Sequence, residues 1–347
     1  MITRGEMPHV RRACVLAWGG VAVSWELSTP GPLGASLASC AAFLLLATGC
    51  ALHIRRQLLA ELRRSQEIAG AVQRALLRPL PARIDGLTLA AAQLSVGGDL
   101  YEALPTRFGV RVVIGDVRGH GPGALGVAAA VLGSFREAAY DEPTLGGVLR
   151  RMERALARHA RGDAEEFVTV LLLQVAPDGS LLGLNCGHPW PIVLRWLPVA
   201  EPCCAGFRGS APDPAPQTPA GLGYAGLRHA GPRHAGAQRV EAEVLGGETL
   251  PPLGVVPLPG GLVARPCGRV APGEALFLHT DGVADARDRA GRFFPLSGAV
   301  TEAAAAAALT PARLVAGVHA ALLRHTGGRL ADDVALLVLR NDRAGAV

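Results

Sequence analysis

The chain has 347 residues, half of them hydrophobic and 4% aromatic, and its formal net charge of +5 rests on arginine alone. That is length enough for two domains, or for one large domain with accessories, and apolar enough to bury a core. The low aromatic content and the scatter of the arginines exclude a nucleic-acid surface. The 7 cysteines, at 14, 40, 50, 186, 203, 204 and 267, are odd in number and form no CxxC pair, so neither a zinc site nor a disulfide framework is expected. Free thiols in a reducing cytosol fit them better.

Residues 33–54, LGASLASCAAFLLLATGCALHI, contain no Asp, Glu, Lys or Arg. At about 1.5 Å of rise per residue such a stretch crosses a hydrocarbon core of roughly 30 Å. Residues 13–25, ACVLAWGGVAVSW, are uncharged but short, and ELSTPGP between the two reads as a turn. The pattern predicts a hairpin of two transmembrane helices within residues 1–54. Arg4, Arg11 and Arg12 precede it, Arg55, Arg56, Arg63 and Arg64 follow it, and the turn holds no arginine. The positive-inside rule then places both ends in the cytoplasm, giving a multi-pass protein of the cell membrane with everything after residue 54 on the cytoplasmic side. Export is the competing reading, through a signal peptide over residues 1–25 or a lipoprotein box, LASC, ending at Cys40. The lack of a clean cleavage site and the arginines after residue 54 oppose it.

Residues 55–80 read as a linker helix. Leu58, Leu62, Ser65, Ala69, Val72 and Leu76 follow heptad spacing, and Pro79 and Pro81 end the run. The row suits a parallel coiled coil, hence a homodimer through the linker, or a single amphipathic helix lying on its own domain. Residues 81–342 form the main domain. Strands are expected at 87–95, 110–117, 167–175, 180–186, 192–197, 275–280 and 335–340, with PDGS at 177–180 as a hairpin turn. Helices are expected near 122–140, 144–160, 299–309 and 311–325. Strands in runs, rather than in alternation with helices, indicate an α+β fold: a β-sandwich of two antiparallel sheets flanked by helices. Residues 198–250, rich in Pro, Gly and Ala and without period, are expected to be a disordered insertion.

Several acids share one setting, at the end of an apolar run beside small or turn residues: Asp99 in SVGGDLYE, Asp116 in VIGDVRGHG, Asp281 in LFLHTDGVAD, and Asp332 with Asp333 in RLADDVALLVL. One such acid is a turn. A series of them suggests carboxylates meeting at one sheet edge, where cations must offset their repulsion. Oxygen donors with no His/Cys pattern point to Mg²⁺ or Mn²⁺ rather than zinc.

At these residues the chain resembles the metal-dependent serine/threonine protein phosphatases of the PPM family, in the bacterial branch that acts in sporulation and sigma-factor control. GGDLYE, GDVRGHG, FVT, GHP, PLG, TDG and DDVALLVL stand in the family's order, from about residue 71 to 340. The family fold is a β-sandwich with helices on both outer faces. The resemblance implies that Asp116 bridges two metal ions, that the Val117 carbonyl ligates one, that Asp281 and Asp332 complete the other site, and that Asp99 binds directly or through water; Asp333 is the alternative to Asp332. It implies hydrolysis of phosphoserine or phosphothreonine on a regulatory protein, an anti-sigma-factor antagonist, with Asp116 and Asp281 central to catalysis and two Mn²⁺ or Mg²⁺ ions activating the water.

The departures are specific. Glu102 stands where the family usually has Asp, and is not expected to be a ligand. Arg118 stands where the animal and plant branch has a histidine proposed as general acid; it reads as a phosphate clamp or, more plainly, a surface arginine. His120 and His188 lie in glycine-rich turns and read as structural. GGDLYE also resembles a diguanylate cyclase loop, but Leu100 stands where that loop needs an acid. GHGPGALG lacks the Gly-Lys-Ser/Thr of a phosphate loop. The remaining alternative is a membrane-tethered module that keeps the phosphatase fold for binding or signalling with weak turnover.

Overall fold

The computed structural model describes residues 20, 24, 33–94, 97–119, 121–159, 166–198, 238–306, 310–330 and 332–343. The chain divides into two compact units, Met1–Ile68 and Ala69–Val347. In the first, helix α1 (Leu33–Leu76) runs for 44 residues, and its last turns belong to the second unit. Among the described residues no helix is long and apolar enough to cross a membrane. This overturns the expected transmembrane hairpin and, with it, the multi-pass placement in the cell membrane. The apolar stretch is not a self-contained span. It runs without a break into the arginine-rich linker within one helix. The expected first span and its turn, residues 13–32, lie outside the described residues apart from Gly20 and Ser24. Leu58, Leu62 and Val72 of the heptad row are largely exposed.

The second unit is a four-layer α/β/β/α sandwich. One sheet has the order β1 (Arg83–Ile84), β2 (Leu87–Gln93), β12 (Ala335–Asn341), β11 (Ala275–His279), β7 (Ile192–Pro198), β8 (Gln238–Val244). The other runs β10 (Arg265–Arg269), β6 (Ser180–Cys186), β5 (Val168–Val175), β4 (Gly109–Val117), β3 (Leu100–Thr106). All these pairings are antiparallel; β9 (Thr249–Leu250) adds a short parallel contact to β6. Period-2 burial explains the middle layer. Val110, Val112, Ile114, Leu171, Leu173, Leu276, Leu278, Leu337 and Leu339 point between the sheets. Their alternate neighbours, such as Val113, Val170 and Leu172 or Phe277, Leu336 and Val338, point outward under the helices. Helices α2 (Pro122–Asp141) and α3 (Leu145–His159) cover one face, α5 (Leu296–Ala306) and α6 (Pro311–Thr326) the other; α4 (Asp281–Ala284) is a single turn after β11.

Five strands were not expected, the short β1 and β9, the edge strand β10, and β3 and β8. In β3, Glu102 and Pro105 disguise the apolar alternation, and pairing with β4 from Leu100↔Gly115 to Thr106↔Gly109 makes the strand. In β8, only Val240 is buried among charged neighbours, yet it pairs with β7 along its whole length, and Leu245 beyond it enters the inter-sheet core. The stretch expected to lack structure therefore contributes an edge strand over 238–244 and a short one at 249–250. The rest of it, 199–237, lies outside the described residues.

A buried cation ties one helical layer to its sheet. Arg111 of β4 is fully buried; its guanidinium donates to the carbonyl oxygens of Ala139 (2.9 Å), Glu142 (2.6 Å) and Pro143 (2.9 Å) and to Gln174 Oε1 (3.0 Å). It thereby caps the C-terminal end of α2, where bare carbonyls favour positive charge. Burial pushes its pKa down to about 10, so it stays charged at neutral pH.

Two predictions follow from this architecture. Arg111→Met removes every one of those donors and should cost about 3 kcal/mol or more of unfolding free energy, read as a lower denaturant midpoint; an unchanged midpoint would refute the capping role. A deletion joining Leu197 to Gly246 removes β8 and Leu245 and should cost at least about 2 kcal/mol, whereas one confined to 205–232 should leave the melting temperature nearly unchanged. Equal behaviour of the two deletions would remove β8 from the fold.

Candidate metal centre

Antiparallel order places the start of one strand beside the end of its neighbour, so the acids at strand ends share one end of the sandwich. Asp99 immediately precedes β3 and Asp116 is the next-to-last residue of β4. Asp281 follows β11 at the start of α4, and Asp332 and Asp333 precede β12. Two sheets thus deliver carboxylates to a common edge. Each also feels the others electrostatically. Asp99 is held well above the usual carboxylate range, first by burial and then by the charge of Asp116, with Asp333 and Asp281 adding and a hydrogen bond from Thr280 opposing. Burial pushes Asp116 up to about 7, with the charges of Asp281, Asp332 and Asp333 behind it. Asp281 is raised by burial and by Asp332.

The backbone around the acids is packed to the limit. A Cβ on Gly98 would lie 2.4 Å from the Val117 carbonyl oxygen and 3.0 Å from Asp116 Oδ1. One on Gly97 would fall on the Asp333 carboxylate, and one on Gly282 would lie 2.0 Å from the Asp333 carbonyl oxygen. On β4, a Cβ at Gly115 would lie 2.4 Å from the Thr169 carbonyl oxygen. At Gly98, Gly115 and Gly282 the contacts require bare backbone, because the obstacle is a main-chain oxygen that cannot yield.

The positioning groups come from several elements. Thr280 Oγ1 donates to Asp99 Oδ2 (3.1 Å) and accepts the Ala335 N–H (2.9 Å), linking β11, β12 and the loop before β3. The Gly98 N–H donates to Asp333 Oδ2 (3.0 Å). The Gln73 carboxamide, in the last turns of α1, both donates to the Gly97 carbonyl (3.2 Å) and accepts the Gly97 N–H (3.1 Å). Asp332 is exposed and its Oδ1 accepts the Asp333 N–H (2.8 Å). The two neighbouring acids thus differ: Asp333 accepts the Gly98 N–H of the glycine loop, while Asp332 is exposed.

Glu102 is not among the converging acids. Its carboxylate takes Arg136 Nε at 2.8 Å, and Arg136 also donates to the Leu76 carbonyl (2.8 Å), so it serves packing of α2 and the end of α1. Arg118 is exposed, with its guanidinium 5.2 Å from the centroid of the Phe167 ring. His188 is buried, and His120 lies outside the described residues. Thr169, Thr280 and Gln73 were not singled out from the sequence, although the first two sit inside the FVT and TDG motifs. A hydroxyl carries no charge to mark it, and only the register across β4 and β5 brings Thr169 to Asp116. Cys50, Cys186 and Cys267 are free thiols.

Among the described residues no group of three or more His, Cys, Asp or Glu side chains is gathered closely enough to hold a metal ion. The donor chemistry nevertheless suits a hard cation. The acids offer oxygen alone, the Val117 carbonyl faces the same loop, and the buried Asp99 Oδ1 has no hydrogen-bond partner.

Comparison with known proteins identifies the fold. The family model described as Stage II sporulation protein E (SpoIIE) matches residues 106–199 and 222–342. Curated protein sequences give no match. Among solved structures, the SiaA-PP2C domain of Pseudomonas aeruginosa is 19% identical, with a TM-score of 0.52, 82% of this chain covered and 98% of that one. The RsbU and RsbW domains of Rv1364c from Mycobacterium tuberculosis are 23% identical, with a TM-score of 0.51 and 76% of this chain covered; this chain spans only 63% of that structure. The catalytic domain of the serine/threonine phosphatase PstP, solved with 2 manganese ions, is 15% identical over 73% of this chain and 97% of that one, with a TM-score of 0.45. The α+β sandwich with helices on both faces is the PP2C fold, and the chain belongs to the SpoIIE family, with a phosphatase domain of the PP2C type over its strand-built unit.

Proposed function

We propose that the chain hydrolyses phosphoserine or phosphothreonine on a regulatory protein, an anti-sigma-factor antagonist, using two Mn²⁺ or Mg²⁺ ions. The observation that carries this reading is the meeting of acids from both sheets at one end of the sandwich, with Asp99, Asp116 and Asp281 raised by burial and mutual charge. Family membership supports the reaction class. The fusion of RsbU and RsbW domains in the mycobacterial protein supports the choice of partner.

Asp116 would bridge the ions, the Val117 carbonyl would add a neutral donor to one of them, Asp281 and Asp332 would complete the other position, and Asp99 would bind directly or through water. Bound there, such ions supply charge for the phosphoryl oxygens and a water acidic enough to attack in line. The chain's own residues do the rest. The carboxylates hold negative charge in place without thermal search, since Thr280 and the Gly98 N–H fix Asp99 and Asp333. Gly98 lets the Val117 carbonyl and the Asp116 carboxylate approach one loop. Arg118 lies exposed beside the end of β4, with its guanidinium near the Phe167 ring. The exposed heptad residues of α1 support a homodimer through the linker. A phosphatase-fold binding module without turnover is the second reading, and the assay below separates it.

On p-nitrophenyl phosphate and on a phosphoserine protein, turnover should require Mn²⁺ or Mg²⁺, and Asp116→Asn should lower it at least about 100-fold while the chain stays folded. Mutant and parent turning over equally with Mn²⁺ would sink the two-metal reading. Mn²⁺ should also raise the parent's melting temperature, because a ligand bound only to the folded state stabilises it, and the rise should vanish in Asp116→Asn. Asp332→Ala should lose Mn²⁺-dependent turnover with little change in metal-free stability. Asp333→Ala should instead lower the melting temperature by removing the acceptor of the Gly98 N–H. The reverse pattern would exchange the two roles.

A further inference from the structure

The FVT and GHP motifs remain without a task in the chemistry above, yet the fold brings them together. Thr169 is opposite Asp116 in the β4–β5 register, and the Asp116 N–H donates to Thr169 Oγ1 at 3.2 Å. The same hydroxyl lies 3.0 Å from His188 Nδ1 and 3.5 Å from the Asp116 carbonyl oxygen. The hydroxyl thus joins the His188 ring to both polar backbone atoms of Asp116.

The turn that carries His188 is built to hold that ring. It crosses from β6 to β7, and so from one sheet to the other. Asn185 clamps both polar backbone atoms of His188: its Oδ1 accepts the His188 N–H (2.8 Å) and its Nδ2 donates to the His188 carbonyl (2.7 Å). Gly187 takes the left-handed conformation (φ 71°), and a Cβ there would lie 2.8 Å from Pro252. His188 is 4% exposed. A buried imidazole is a poor choice for filling space, since desolvating its polar nitrogens costs free energy that an apolar side chain avoids. Its retention makes sense where Nδ1 is needed. Burial, with the charge of His279 adding and a hydrogen bond to the His279 backbone opposing, pushes the ring's pKa down to about 3, so it stays neutral.

We propose that Thr169 and His188 act as one positioning unit for Asp116: His188, locked by Asn185, aims the Thr169 hydroxyl at the Asp116 backbone and so fixes where the Asp116 carboxylate and the Val117 carbonyl stand. This rests on the reading of the converging acids as a metal centre. Groups that orient a ligand in this way change metal affinity about 10–100-fold when removed.

The test uses the full chain and Mn²⁺ as probe, followed by thermal melting and by turnover of p-nitrophenyl phosphate. Thr169→Val, which keeps shape and loses the hydroxyl, should raise the half-saturating Mn²⁺ concentration at least about tenfold, while KM at saturating Mn²⁺ is unchanged. Thr169→Ser should restore most of the affinity. His188→Leu should weaken Mn²⁺ binding like Thr169→Val without lowering the metal-free melting temperature, and the double variant should be no weaker than the worse single one, as for residues acting as a unit. If Thr169→Val binds Mn²⁺ like the parent, or the two losses add independently, the unit does not exist. Where His188→Leu fails to fold, Thr169→Val against Thr169→Ser decides alone. A parent chain that shows neither a Mn²⁺-induced rise in melting temperature nor Mn²⁺-dependent turnover overturns the metal-centre reading, and this inference with it; a parent that responds while Thr169→Val responds equally overturns this inference only.

Discussion

Like charges confined at one end of a sandwich are the constraint on which the rest of the molecule depends. The antiparallel order of both sheets leaves Asp99, Asp116, Asp281, Asp332 and Asp333 at a common edge. Burial then denies Asp99, Asp116 and Asp281 the water that would screen their repulsion. Everything near that edge is arranged around the tension. Hydroxyls and amides are spent on the carboxylates, glycines let backbone press against backbone, and the inter-sheet core of Val, Ile and Leu supplies the stability that the acids subtract.

The supports are distributed in a telling way. Thr280 reaches Asp99 from the opposite sheet, so the position of one acid depends on the packing of both. Asp333 is held by the Gly98 N–H, and Gly97 by the carboxamide of Gln73 at the end of α1. Glu102, close in sequence to Asp99, turns the other way and serves Arg136 and the end of α1 instead. Alternate residues of a strand face opposite sides, and that alone separates a candidate ligand from a packing carboxylate three positions on.

Much of this was legible before any coordinates. The strands 110–117, 180–186, 275–280 and 335–340, and the helices near 122–140 and 311–325, were written as plain period-2 or period-3.6 patterns and fall within one or two residues of their observed bounds. The acids were legible because charge at the end of an apolar run is conspicuous. What was not legible had no such mark. β3 hides behind Glu102 and Pro105, and β8 is an edge strand whose pairing with β7, rather than its composition, makes it a strand. The hydroxyls of Thr169 and Thr280 matter through contacts 53 and 181 residues away in sequence. The membrane expectation failed for a different reason: the apolar stretch is part of one long helix that continues into charge, and among the described residues no helix is long and apolar enough to cross a membrane.

The glycines at the acidic edge have a consequence for how the family can diverge. At Gly98, Gly115 and Gly282 the obstacle to a side chain is a main-chain oxygen, of Val117, Thr169 and Asp333 respectively. Those clashes persist whatever acids surround them. A descendant that abandoned turnover but kept the fold would be free to lose its carboxylates and would indeed gain stability from doing so, yet it would still be bound to these three glycines. In such a lineage the glycines record ancestry and the acids record use, so a chain with the first and without the second is a retired enzyme rather than an unrelated protein.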